Sequence, residues 1–160
     1  MKGYTFRGYN QEHMARAVGI ALPISFKQSV EVCSFIKSKN VGDAKKMLQN
    51  VIDKKTAVPI KRYNWDLGHK KKIGPGRYPE NTSKEFIKMI ESVEANAQFK
   101  GLNTSNLIIT HVSANKSGKT WHFGRKSRRR MKRTNIEIVV EETKKSSSDK
   151  IKNKIKTEKQ

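Results

Sequence analysis

Cysteine is almost missing: Cys33 is the only one in 160 residues, so no internal disulfide can form. It falls among Val30, Val32 and Ile36 in a helix-like stretch, where a small thiol reads as part of a core rather than as a nucleophile. Acids are scarce too, with 14 Asp plus Glu against 35 Lys plus Arg, a formal charge of +21. That imbalance excludes an ordinary neutral globular monomer. Like-charge repulsion opposes compaction, whereas a polyanion that releases counterions on binding turns the same charge into affinity. Apolar residues make up 34% and aromatics 8%, enough for one small core and too few for two. No run approaches the roughly 18 to 20 apolar residues of a membrane span, and Met1 and Lys2 lead into polar residues rather than a signal-peptide core. The expectation is a soluble, intracellular protein with no membrane span.

Clustered chemistry is missing as well. His13, His69, His111 and His122 are far apart, with no Cys-x-x-Cys or paired-His spacing, so neither a metal nor another cofactor is expected. The carboxylates are scattered, and Glu91 and Glu94 beside Lys84 and Lys88 read as a solvated helix face. Gly118-Lys119-Thr120 ends like a phosphate-binding loop, but Ser113 stands where its first glycine is required. The composition points away from an enzyme.

What is present begins with three helices. Ser25 to Gln28 has capping-box spacing ahead of a helix predicted over 26–39, with Phe26, Val30 and Cys33 on one stripe beside Val32 and Ile36. Asn40 to Gly42 break it. Ala44, Met47, Leu48, Val51 and Ile52 then mark a second amphipathic helix ending near Lys55. Thr82-Ser83-Lys84-Glu85 repeats the capping-box spacing before a third, whose face is Phe86, Ile90, Val93 and Ala97 and whose terminator is Gly101. Strands are expected over 3–9, around Tyr4 and Phe6, over 107–112, and over 136–140, where Ile136, Ile138 and Val140 alternate with Glu137 and Val139 as in a half-buried strand.

Two segments cannot bury themselves. Residues 61–79 read as a long basic loop, in which Lys61, Arg62, Lys70, Lys71, Lys72 and Arg77 interleave with Tyr63, Trp65, His69 and Tyr78. For Trp65 and Tyr78 the alternative is packing on the domain's own surface. From Lys116 to Arg133 there are nine cations and no acid: Lys116, Lys119, Arg125, Lys126, Arg128, Arg129, Arg130, Lys132 and Arg133, with Trp121, His122 and Phe123 among them. If the two flanking strands pair antiparallel, the turn falls near residues 123–128 and arms of about 14 residues reach roughly 45 Å. Such a ribbon repels itself and needs a polyanion to hold it. Flat rings that stack on exposed bases, next to cations that hold phosphates, suit folded RNA. The last stretch, 143–160, has seven lysines, two acids and only Ile151 and Ile155 as apolar residues, the composition of a disordered basic tail.

The fold class expected is therefore α+β: three helices packed on a small, mostly antiparallel sheet with a long protruding β-hairpin. Residues 1–142 would form one RNA-binding domain that includes the loop at 61–79 and the hairpin at 107–140.

Five motifs occur in register with one family: Leu22-Pro23-Ile24-Ser25-Phe26-Lys27, Val41-Gly42-Asp43-Ala44-Lys45, Ala57-Val58-Pro59-Ile60-Lys61-Arg62, Gly74-Pro75-Gly76-Arg77-Tyr78-Pro79 and Glu94-Ala95-Asn96-Ala97. With the closing hairpin, they resemble the universal large-subunit ribosomal protein twenty-two in its archaeal and eukaryotic form, over about residues 3 to 142. The resemblance implies a structural role in the cytoplasmic ribosome, without catalysis and without a homo-oligomer. Members bind large-subunit ribosomal RNA, help to fold it during assembly, and sit near the tunnel exit. The tip, here Trp121, His122, Phe123, Gly124, Arg125 and Lys126, would line the nascent-peptide tunnel opposite ribosomal protein four and meet the nascent peptide. Arg62, Tyr63, His69, Arg77 and Tyr78 would be RNA contacts, as would Arg16 in Ala15-Arg16-Ala17. The sequence departs from the family at the tip, where Phe123 to Arg130 replaces a Pro-Arg-Ala segment and a further Gly-Arg pair, in a loop a few residues shorter. The rival readings are a free RNA- or DNA-binding factor, which explains the charge but leaves loop and hairpin without an ordering partner, and a small nuclease, which needs clustered carboxylates.

Overall fold

The computed structural model describes residues 4–143; nearly all of the basic tail expected over 143–160 lies outside them. Three strands form the main sheet: β1 (Met14–Leu22), β5 (Leu107–Lys116) and β6 (Thr134–Glu142). The order is β1-β6-β5, antiparallel throughout. Helices α1 (Phe26–Ile36), α2 (Val41–Ile52) and α3 (Glu80–Phe99) contribute the rest of one core. Ile136, Ile138 and Val140 of β6 face it, opposite Ala15 and Ala17 of β1 and Ile109 and Val112 of β5. A second, small sheet joins β2 (Val58–Pro59), β4 (Gly74–Arg77) and β3 (His69–Lys70), in that order. The α+β architecture matches the sequence expectation.

The strand expected over 3–9 is instead β1, further along the chain. Residues 4–10 pair with no strand; the Thr5 and Phe6 N–H groups donate to the Glu137 carboxylate of β6 instead, which lays the segment across the outer face of the sheet. β1 is rich in Ala and Gly, poor strand formers, for a packing reason. A Cβ on Gly19 would stand 2.7 Å from the Met89 sulfur, so small residues here let α3 close onto the sheet.

Neither capping box forms. The Ser25 side chain makes no cap, and Gln28 Oε1 accepts from the Thr82 hydroxyl at 3.1 Å instead. α3 starts directly after Pro79, which places Thr82 and Ser83 inside the helix and buries both. α1 stops at Ile36 rather than Lys39. There Ser38 takes a φ of 60° and donates to Ile109 O (2.9 Å), while Ile109 N donates to Lys39 O (2.9 Å), so the chain joins the edge of β5. The buried stripe of α1 is Ser29, Val32, Cys33 and Ile36, leaving Phe26 and Val30 half-buried. In α2, Ala44, Leu48 and Val51 are buried while Met47 and Ile52 are half-buried, and the helix ends at Ile52 rather than near Lys55. α3 buries Phe86, Ile90, Val93 and Ala97 as its periodicity requires. It ends at Gly101 with φ +76°, where Gly101 N donates to Gln98 O and Leu102 N to Ala97 O, the paired closure of a glycine-terminated helix.

Candidate nucleic-acid interface

The basic loop is more ordered than its composition suggests. Ile60 N donates to Pro75 O at 2.9 Å, and β2 and β3 hold β4 between them, so residues 58–77 fold back on themselves. A buried acid fixes where this structure begins. Glu31, on α1 and only 3% exposed, accepts the backbone N–H of Lys61 at 3.1 Å and of Arg62 at 2.7 Å. Tyr63, Asp66 and Lys72 all have φ between 55° and 71°. Left-handed backbone at non-glycine residues carries strain and is concentrated at functional loops. The side chains of Lys61, Arg62, His69, Lys71, Lys72 and Arg77 are left exposed, and Lys70 is half-buried. Trp65 is 85% exposed, so it does not pack on the domain surface; Tyr78 is half-buried with Lys70 Nζ 5.5 Å from its ring centroid.

The second basic segment leaves the main sheet. β5 and β6 pair from Leu107↔Glu142 to Lys116↔Thr134, and Ser117 N reaches Arg133 O at 3.3 Å. The ladder is then interrupted, so the arms do not form the continuous ribbon expected. Pairing resumes where Met131 N donates to Thr120 O (2.8 Å), Trp121 bridges Arg130, and His122 N donates to Arg129 O (2.9 Å). A 3₁₀ turn over Gly124–Lys126, with Gly124 at φ +65°, closes the tip inside the turn region expected. From 118 to 130 every residue is exposed except His122, which is half-buried, and Phe123 is 86% exposed. The Arg130 guanidinium stacks 4.7 Å from the Trp121 ring centroid. Such a surface presents cations and rings with no carboxylate beside them.

The two basic segments are linked through the amino end of α1. Lys27 Nζ sits 4.8 Å from the Tyr63 ring of the loop, and Lys116 Nζ lies 5.2 Å from the Phe26 ring at the hairpin root. Compared with protein families, residues 17–141 match the model of ribosomal protein L22p/L17e. The chain belongs to that family. It is similar to large ribosomal subunit protein uL22 of Archaeoglobus fulgidus, 36% identical over 86% of this chain and 94% of the relative. It is also similar to the uL22 proteins of Picrophilus torridus, 40% identical over 89% and 98%, and of Nanoarchaeum equitans, 42% identical over 83% and 81%. Both basic segments fall within the L22p/L17e match, and these relatives are archaeal, in line with the form the motifs resemble.

Arg16 and the segment that packs on it precede the family match. Its guanidinium lies between two rings, 3.9 Å from the Tyr4 centroid and 4.1 Å from that of Tyr9. Beside it, Phe6 stacks on His111 with centroids 4.8 Å apart. Glu137, which strand alternation placed on a half-wet face, is 4% exposed. Burial pushes its carboxyl up, but the Thr5 hydroxyl and the Thr5 and Phe6 N–H groups, with His111 nearby, outweigh that and hold it below the usual carboxylate range. β6 is therefore covered on both faces.

Sequence reasoning missed Glu31, Glu137, Phe26 and Lys27 as organisers of the L22p/L17e surface. The only signal for the two acids is a carboxylate set between apolar neighbours, Val30-Glu31-Val32 and Ile136-Glu137-Ile138. Cys33 is buried and its thiol is pushed up to about 12 by desolvation, which leaves it protonated and unreactive. Among the described residues no group of three His, Cys, Asp or Glu could hold a metal ion, and no helix is long and apolar enough to cross a membrane.

Proposed function

We propose that this protein is a structural, non-catalytic constituent of the large ribosomal subunit that binds large-subunit ribosomal RNA and aids its assembly. The observation that carries this reading is the run from Lys116 to Arg133, with nine cations and no acid, held above the sheet by a few backbone hydrogen bonds and exposed almost throughout. Such a segment gains order when phosphates neutralise it. The loop cations Lys61, Arg62, Lys70, Lys71, Lys72 and Arg77 supply a second phosphate-binding surface, with Tyr63, Trp65, His69 and Tyr78 as stacking or hydrogen-bonding groups. Arg16 is an additional contact. In this reading residues 1–142 act as one RNA-binding domain and 143–160 as a nonspecific basic tail. The tip, Trp121 to Lys126, lines the nascent-peptide tunnel beside ribosomal protein four and meets the passing peptide.

Sedimentation of tagged protein from cell lysate through a sucrose gradient tests this. Co-migration with large subunits that survives a high-salt wash is the expected result. Release into the light fractions at moderate salt would mean a free RNA- or DNA-binding factor.

A further inference from the structure

Where the hairpin leaves the sheet, the end of β1 and the corner after it are each stapled to β6 once. The Thr134 hydroxyl donates to Ile24 O at 2.9 Å in a buried position, and Ala21 N donates to Asn135 Oδ1 at 2.8 Å. Beyond these staples the corner and the hairpin diverge and leave a cavity of about 630 Å³. Ala21 and Pro23 form one side of it, and Thr120, His122 and Met131 contribute to the other. The hairpin wall is itself fixed, because Met131 N and Thr120 O are paired across the two arms at 2.8 Å. Ala21 holds a left-handed φ of 57°, which a non-glycine residue adopts only when its surroundings enforce it.

The lining combines two kinds of chemistry. Ala21, Pro23 and Met131 offer flat or soft apolar surface at a spot open to solvent, while Arg129, Arg130, Lys132 and Arg133 line the same cavity and no acid does. The volume lies within the range of small-ligand sites and exceeds what a single base needs. An apolar slot with cations in sequence along one strand suits a ring attached to a phosphate chain. A free nucleotide would meet few of those cations, whereas an RNA strand places a phosphate near several of them.

We propose that this cavity receives one unstacked nucleobase of the bound RNA, with the flanking phosphates held by the run Arg129 to Arg133. The inference rests on the RNA-binding reading above and adds to it a site for a single extruded base. Recognition is by shape and stacking, so a bulged or looped-out nucleotide is preferred over a paired one, whose extrusion costs unstacking energy. Met131 and Pro23 supply the apolar contacts, and the arginines set the position of the backbone.

The test uses the full chain and two short RNAs: a duplex hairpin and the same hairpin with one bulged 4-thiouridine. The bulged RNA is expected to bind about tenfold more tightly at equal salt, with the photo-crosslink mapping to residues 21–23 or 131. Met131→Ala, which removes the main apolar contact of the slot without changing charge, should lower the preference for the bulged RNA severalfold and reduce the crosslink yield. Equal binding of both RNAs with a steep salt slope, or crosslinks confined to the loop at 61–79, would overturn the base site and leave the RNA-binding reading standing. Weak, salt-insensitive binding of either RNA would overturn both. Displacement of the bulged RNA by micromolar adenosine monophosphate would make the cavity a site for free nucleotides instead. The crosslink on the unaltered chain decides the matter even if Met131→Ala does not fold.

Discussion

The basic loop and the basic hairpin have similar composition and opposite support. The loop is tied to the core: Glu31 accepts two of its backbone N–H groups, a three-strand sheet closes it, and its cations stand on a backbone already fixed. Beyond Ser117 and Arg133 the hairpin has no carboxylate to hold it and only a few cross-arm hydrogen bonds. The difference is one of preorganisation. A site whose geometry is fixed before binding does not have to order itself on binding, whereas a self-repelling arm must recover that ordering cost from each phosphate it meets. On the proposed RNA-binding reading, the loop of this chain sets the docking position and the hairpin follows the RNA as it folds.

Removing the loop's support should have the largest effect. Glu31→Ala takes away the acceptor of two amides at a position only 3% exposed. Losing charge-assisted hydrogen bonds and leaving partly buried donors unpaired costs about 3 kcal/mol in total. Urea unfolding of the variant should show that loss, and amide exchange should quicken across 58–77 ahead of the main sheet. A variant as stable as the parent would mean that the small sheet holds itself and that the contrast with the hairpin is one of composition alone.

Replacing Arg128, Arg129 and Arg130 by alanine should do the reverse, sparing the fold and weakening RNA binding. All three side chains are exposed, so urea stability should hardly change. If each meets a phosphate, the slope of log affinity against log salt becomes shallower by about 2.7, and affinity near physiological salt falls about a hundredfold. A titration over a series of salt concentrations reads both. An unchanged slope would place the run in solvent and make the loop the whole of the interface.

Much of this contrast was legible in the residues, and the rest was hidden for identifiable reasons. The 3.6-residue periodicity marked the buried faces of α2 and α3, Gly101 marked the end of α3, and the alternation around Ile136 to Val140 marked the central strand. The cation run without an acid located the hairpin, and extending the expected antiparallel pairing of its flanking strands placed the turn. β1 escaped because Ala15, Ala17 and Gly19 carry no strand signature of their own; their small size answers to α3, a partner about 70 residues away. β2 and β3 are two residues long, shorter than any alternation can register. The capping boxes failed because a spacing specifies what a hydroxyl could bond, not what it meets, and Thr82 met Gln28. Glu137 read as a wet face and Glu31 gave no signal, because the amides they hold lie 30 or more residues away in the chain.

Glu137 extends the comparison to a third segment. It accepts Thr5 N at 2.9 Å and Phe6 N at 3.1 Å, as Glu31 does for the loop, so the amino-terminal strap is held by the same device over the outer face of the sheet. Its carboxyl sits below the usual range, which means the folded protein binds this proton less readily than the unfolded chain. The stability it contributes is complete above the ordinary glutamate value of about 4.3 and is lost as the pH falls through the lower folded value. Glu137→Gln keeps one acceptor oxygen and should cost only about 1 to 2 kcal/mol at neutral pH. The Thr5 and Phe6 amide resonances report the step directly: carboxylate-bonded protons should move upfield as acid releases the strap, with a midpoint below 4.3, and the Gln variant should show no such titration. A midpoint at or above 4.3 would separate the strap from the loop. Arg16 between Tyr4 and Tyr9 and the Phe6 stack on His111 would then tether that segment, each a contribution of about 1 kcal/mol.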